Sequence, residues 1–176
     1  EETGAAQYYR DAKILTIYEG TTAIQANDLV GRKTARDGGR TPKAIAAQIE
    51  GTEAALRDAG TPDALAVAHR LKAARLALID VVDFVAGHTK ASPNAVFAGS
   101  VPYLMLAGNV VAGWQLARAL LVAQDLIARG EDLAFAQAKI VTARFYADHI
   151  LAKAPGLRDS IVDGAASVTA LALNAF

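Results

Sequence analysis

Apolar residues recur at three- and four-residue intervals through nearly the whole chain, the period of an α-helix that buries one face. Alanine and leucine supply most of the apolar positions, while β-branched or aromatic runs bounded by turn dipeptides are scarce. The pattern predicts an all-α chain with no strands, and its breaks fall where glycine and proline cluster. Residues 3–13 read as a short helix that ends in an apolar connector, Ile14-Leu15-Thr16-Ile17-Tyr18. A second helix is predicted from 20–22 to about Lys33, with Ile24, Leu29 and Val30 on its packed side. The charged, Gly-rich stretch RKTARDGGRTP over 32–42 then reads as a linker between two units.

Beyond the linker the signals sharpen. Thr41 is placed to cap a helix whose first residue is Pro42 and whose end, at about Ala59, is closed by Gly60. The same Thr-Pro device at Thr61-Pro62 opens a long helix to about His88, with Leu65, Ala68, Leu71, Leu78, Val82 and Val85 on its apolar face. Residues 87–99 read as a loop with one helical turn near Ala95. A very apolar helix follows over 100–128, stopped by Gly130, and is expected at the centre of the bundle, buried on most sides. Another spans about 131–153 with Phe135, Ala138, Val141 and Phe145 inward; Pro155-Gly156 breaks it before a last helix over about 157–173. Four long helices in succession predict an antiparallel four-helix-type bundle. Ala107, Gly108, Ala112 and Gly113 are expected to admit a close neighbour, because a glycine within a helix costs about 1 kcal/mol that packing must offset.

Composition narrows the classes. The chain has 176 residues, 53% of them hydrophobic, enough for one sizeable core. Eighteen basic and eighteen acidic side chains cancel, so no unbalanced field favours nucleic acid. No cysteine is present, which removes disulfides, thiolate ligands and thiol nucleophiles. The first residues, EETGAAQYYRD, lack a basic segment followed by an apolar run, so no leader is read there and a cytoplasmic location is expected. Asn109, Gln115 and Arg118 interrupt the apolar stretch that begins at Val101, and no transmembrane segment is expected.

The candidate chemistry is sparse. His69, His88 and His149 share no helical spacing that would point two imidazoles at one metal, and no metal site is expected. His149, in row with Thr142 and Phe145, reads as a packed or capping side chain. Asp80 and Asp83 read as a water-facing or interhelical edge. The glycines of RDGGR and of TIYEGTT follow no strand and lack the lysine of a phosphate loop. Glu19 stands apart: it follows the connector and precedes Gly20-Thr21-Thr22 at a helix start. Desolvation there raises a carboxyl's pKa above about 4.3, whereas helix amides and dipole lower it. Such a group can be tuned to take a proton, or can simply cap the helix.

Tyr9-Arg10-Asp11-Ala12-Lys13-Ile14, followed after three residues by Tyr18-Glu19-Gly20-Thr21-Thr22 and then Ile24-Gln25, resembles the end of the catalytic core of flavin-dependent acyl-CoA dehydrogenases. The remainder resembles the extended bacterial branch of that family, whose members carry an additional C-terminal helical domain. The resemblance implies three parts: residues 1–33 as the last helices of the catalytic core, 34–41 as a linker and 42–176 as the extension domain. It also implies that Glu19 is the catalytic base, that Tyr18 and Gly20 contact the substrate, and that Thr21 and Thr22 contact FAD near the start of the following helix, whose free amides suit a flavin or phosphate oxygen. Ala23 departs from the family, where a polar residue, often Gln, is common, so a side-chain contact to FAD from that position is lost.

The reaction so implied oxidises an acyl-CoA thioester to the trans-2-enoyl-CoA, as in fatty-acid β-oxidation. The implied partners are further copies of the chain in a homodimer or homotetramer and an electron-transfer flavoprotein. The flavin-binding domains would lie upstream of Glu1, so the 176 residues read as a C-terminal fragment, inactive on its own. The competing reading is a non-catalytic helical bundle that serves oligomerisation or protein binding, with the YEGTT segment as a helix cap.

Overall fold

Thr61 and Pro62 start a helix as their spacing predicts. In a computed structural model that describes residues 4–16, 21–168 and 170–175, Thr61 Oγ1 accepts the Ala64 amide at 3.2 Å and Pro62 occupies the first turn of α4 (Pro62–His88). The preceding helix, α3 (Arg40–Ala59), closes at Gly60, which takes φ 68° and donates its amide to Leu56. Its start corrects the expectation. The cap is not Thr41 but the carboxylate of Asp37, which accepts the amides of Gly39 at 2.8 Å and Thr41 at 2.9 Å and so satisfies two helix-start donors where a hydroxyl would satisfy one. Gly39 itself is required there: its φ is 77°, and a Cβ would lie 2.7 Å from Val82 Cγ1.

The N-terminal elements are α1 (Ala5–Lys13), a 3₁₀ turn over Ile14–Thr16 and α2 (Thr22–Asp28). No residue of α1 is buried. The α2 helix continues as a π-helix over Leu29–Ala35, with the amide of Arg36 bonded to the Gly31 carbonyl at 3.1 Å and that of Gly39 to Thr34 at 2.9 Å, each across five residues. Ala26, Val30 and Thr34 are buried, whereas Ile24, expected inward, is exposed. The 32–42 stretch is therefore helical at both ends, and only residues 36–39 form a turn.

Four long helices build the bundle: α3, α4, α6 (Ser100–Arg129) and α7 (Leu133–His149), with a short α5 (Pro93–Ala98) between α4 and α6. Consecutive long helices run antiparallel, as the all-α bundle reading predicts. Trp114 Nε1 donates to Thr52 Oγ1 at 2.8 Å and ties α6 to α3, and Gln124 Nε2 donates to Thr61 Oγ1 at 2.5 Å and ties its far end to α4. No strand occurs among the described residues.

The central helix is α4, not α6. Eleven of the 27 residues of α4 are buried, against eight of the 30 in α6, and α3, α6, α7 and α8 (Ala154–Val162) all pack on α4. Leu65 is the one member of its predicted apolar face that stays exposed. By length and composition α6 could cross a bilayer, yet Tyr103, Leu106, Val110, Ala117 and Leu120 pack into the bundle core while the opposite side faces out; 28% of its most apolar window is buried.

Helix α7 reverses the predicted orientation. Ala136, Ile140, Ala143 and Ala147 face the core, and Phe135, Val141 and Phe145 are about 60% exposed. The small residues lie inward because α6 and α7 pack closely along their length. The helix ends at His149; a 3₁₀ turn over Leu151–Lys153 follows, and Pro155 sits in the first turn of α8, where a missing amide costs nothing, rather than breaking α7. The last predicted helix is two pieces, α8 and α9 (Ala165–Val168). Of the small residues in α6, Gly113 meets a close neighbour and Gly108 does not: an added Cβ would lie 2.7 Å from both Cδ atoms of Leu151 at the first, and would meet nothing within 4 Å at the second.

Candidate functional site

Thr21 and Thr22 stand at the start of α2, where the Thr21 carbonyl accepts the Gln25 amide at 2.8 Å. With Gln25 they form one wall of a surface hollow of about 500 Å³; among the described residues Ile14 and Leu15 of the 3₁₀ turn and Leu104 of α6 also line it. Three polar side chains thus face three aliphatic ones, a lining suited to a ligand with both polar and apolar parts. The other sequence-predicted site residues, Tyr18, Glu19 and Gly20, lie outside the described residues. Leu104 was not among the expected site residues. The spacing that assigns it to a packed helix does not reveal that α2 lies alongside.

The hollow's position depends on how α2 is fastened. Ala26 and Val30 are fully buried, and the Thr34 and Tyr103 hydroxyls share a buried hydrogen bond of 2.9 Å. Burial pushes the Tyr103 phenol up from its ordinary range, against the smaller opposing effect of the Thr34 bond. That bond links the π-helical segment to α6 and fixes the register between them.

A second polar site lies between α3 and α4. Arg75 Nε and Nη2 reach the two carboxylate oxygens of Glu53 at 2.7 and 3.0 Å, and Nη2 also reaches Glu50 at 3.1 Å. Arg75 is 6% exposed and Glu53 1%, so the pair is a desolvated, bidentate one. The Glu53 bond raises the guanidinium pKa. Sequence reading missed it. The available signal was Glu50 and Glu53 at i, i+3 with an arginine set inside an otherwise apolar run.

The remaining candidates have structural partners. Asp83 pairs with Lys43 at 2.5 Å and Asp80 with Arg158 at 3.3 Å, the interhelical edge expected of them. His149, expected to be packed or capping, is exposed and lies against the exposed Phe145 ring with centroids 4.5 Å apart, and His88 lies against Phe84 at 4.9 Å. His69 is exposed beside the Arg75 cluster. Among the described residues no three His, Cys, Asp or Glu side chains come together as a metal-binding group.

Comparison with known proteins decides the family. The model of the family described as "Acetyl-CoA dehydrogenase C-terminal like" matches residues 43–172. The chain belongs to that acyl-CoA dehydrogenase family. It is 49% identical over 163 residues, 93% of the chain, to 3-methylmercaptopropionyl-CoA dehydrogenase of Ruegeria pomeroyi, of which it covers 28%. It is 35% identical over 88% of its length to the broad-specificity linear acyl-CoA dehydrogenase FadE5 of Mycobacterium tuberculosis, of which it covers 26%. A butyryl-CoA dehydrogenase of Syntrophomonas wolfei is 32% identical over 86% of the chain, which covers 25% of that protein. The chain thus spans about a quarter of the length of these relatives, and the family's all-α C-terminal architecture is the one described above.

Proposed function

We propose that the chain is the C-terminal part of an FAD-dependent acyl-CoA dehydrogenase that converts an acyl-CoA thioester to its trans-2-enoyl-CoA. The observation that carries this reading is the 49% identity with 3-methylmercaptopropionyl-CoA dehydrogenase over 93% of the chain. On this reading residues 1–33 are the end of the catalytic core, 34–41 a linker and 42–176 the extension; the family match that starts at 43 supports the second boundary.

The residues present fit a flavin at the α2 end of the molecule. Thr21, Thr22 and Gln25 offer hydroxyl and amide groups for polar ligand atoms, beside the aliphatic Ile14, Leu15 and Leu104. When bound, the flavin supplies the hydride acceptor. Glu19 removes the proton from the carbon next to the thioester carbonyl, which requires a carboxylate kept from bulk water and basic enough to compete for it. Tyr18 and Gly20 border the substrate, the glycine admitting close approach, and Thr21 and Thr22 hold the cofactor's polar groups. Assembly into homo-oligomers, electron transfer to an electron-transfer flavoprotein, a place in fatty-acid β-oxidation and a cytoplasmic location belong to the same proposal. The exposed row Phe135, Val141 and Phe145 on α7 supports the first of these.

The test uses the full-length parent enzyme. Glu19→Gln should keep flavin bound and abolish its bleaching by acyl-CoA; normal bleaching would remove Glu19 from its role. The 176-residue chain by itself should bind no FAD and turn nothing over. A flavin absorbance band that copurifies with it in one-to-one amount would contradict that.

A further inference from the structure

A second hollow lies beside the buried Arg75–Glu53 pair. Glu50, Glu53 and Arg57 of α3 stand at i, i+3 and i+7, and His69, Lys72 and Arg75 of α4 follow one another at three-residue steps, so each set lies along one side of its helix. The space between them measures about 330 Å³, within the range of small-molecule sites. None of these residues lines the threonine hollow. Thr52, which bonds Trp114 of α6, lies about 140–160° round α3 from Glu50 and Arg57, so the second hollow opens on the flank of the bundle turned away from α6.

The pairing leaves donors unspent. Arg75 carries five N–H donors, of which Glu53 and Glu50 take the one on Nε and both on Nη2. The two on Nη1 have no partner among the described residues, although the side chain is only 7% exposed. Nη1 is not sealed off, because Arg158 Nε is the one enclosed side-chain atom left without a partner among those residues; it emerges at the hollow that Arg75 lines. The two-point grip of Glu53 fixes the guanidinium plane and with it the direction of these donors. Arg57, His69 and Lys72 likewise make no hydrogen bond or ion pair with another described residue. Three cations against two carboxylates leave one positive charge in excess with His69 neutral. A phosphate group, with its several acceptor oxygens, can take hydrogen bonds from Nη1, Arg57 and Lys72 together, which the two oxygens of a carboxylate do less well.

We propose that this hollow binds a phosphate group, free or carried by a small molecule, with Arg75 Nη1 as the fixed donor pair and Arg57, His69 and Lys72 as the mobile ones. The site is separate from the flavin reading and does not depend on it. Glu50, 61% exposed and joined to Arg75 by one contact, opposes the ligand and limits its affinity.

The test follows the Arg75 Nε–H NMR signal of the 176-residue chain at fixed ionic strength, with inorganic phosphate, glycerol 3-phosphate and chloride as probes. Both phosphates should shift it saturably, and chloride should not. A solvent-facing charge is worth up to about fivefold in affinity, so Arg57→Met with Lys72→Met should weaken binding by about tenfold, and Glu50→Gln should tighten it by about threefold. All three side chains are exposed, so these variants should melt with the parent when no phosphate is present. Tighter binding of glycerol 3-phosphate than of phosphate assigns the hollow to a phosphorylated metabolite, and the reverse order assigns it to the free ion. Equal shifts with chloride, or affinities that neither the double variant nor Glu50→Gln alters, overturn the proposal.

Discussion

Two glycines five residues apart in α6 should respond to the same substitution with opposite signs. Alanine in a helix interior is favoured over glycine by about 0.8–1 kcal/mol. At Gly108 nothing lies within 4 Å of the new methyl, so Gly108→Ala should stabilise by about that amount. At Gly113 the methyl would sit 2.7, 2.7 and 2.9 Å from Cδ1, Cδ2 and Cγ of Leu151, so rotating one terminal methyl does not relieve it. Leu151 is itself buried in a turn packed by α4, α6 and α7, and overpacking of this kind costs about 1–3 kcal/mol. After the propensity gain is subtracted, Gly113→Ala should be destabilised by up to about 2 kcal/mol. For a chain of this length each kcal/mol moves Tm by about 2–4 °C. Thermal and urea melts followed by far-UV circular dichroism should therefore place the two variants on either side of the parent. A Gly113→Ala protein as stable as the parent would show that the Leu151 turn yields freely, and the close approach described above would carry no energetic weight.

Other consequences follow from the polar pairs. Arg75→Met strands the Glu53 carboxylate in the core and should cost about 3–5 kcal/mol, while Arg75→Met with Glu53→Leu should recover most of the loss; urea midpoints that fail to recover would point to packing rather than charge. Tyr103→Phe leaves the buried Thr34 hydroxyl without its partner and should cost about 1–3 kcal/mol. The Thr41 hydroxyl and amide hold Asp37 below its ordinary 3.8, and the Arg144 bond does the same for Asp148. The folded state therefore binds these protons less readily than the unfolded chain, so their contribution is complete well above pH 3.8 and is lost as pH falls through and below that value. Asp37→Asn with Asp148→Asn should flatten the acid limb of a stability–pH curve; an unaltered limb would refute the assignment.

The element order and most helix ends were legible in the sequence because they rest on local chemistry: Thr61-Pro62, Gly60 and Gly130 act through their own backbone. Which side of a helix faces inward was less legible. On α7 the choice lay between an aromatic row and an alanine row, and the row with greater hydrophobicity lost to the row that lets α6 come close. The more apolar helix is likewise not the more buried one: α4 and α6 each touch several neighbours, yet α4 buries the larger share of its residues. The Asp37 cap went unread because its carboxylate reaches forward across a glycine pair instead of sitting next to the first turn. At the site, Thr21 and Thr22 were readable from a motif, whereas Leu104 comes from a helix more than eighty residues away.

A π-helix holds more residues per turn than an α-helix over the same path. Deleting any one of residues 29–33 would let the backbone relax to α geometry while Thr34 stays on Tyr103, and would swing α2 by about 100°. Thr21 and Thr22 would then turn away from Leu104. The aim of those threonines is thus written in a residue count: point changes that preserve the count leave the angular phase intact, and a single-residue gap resets it.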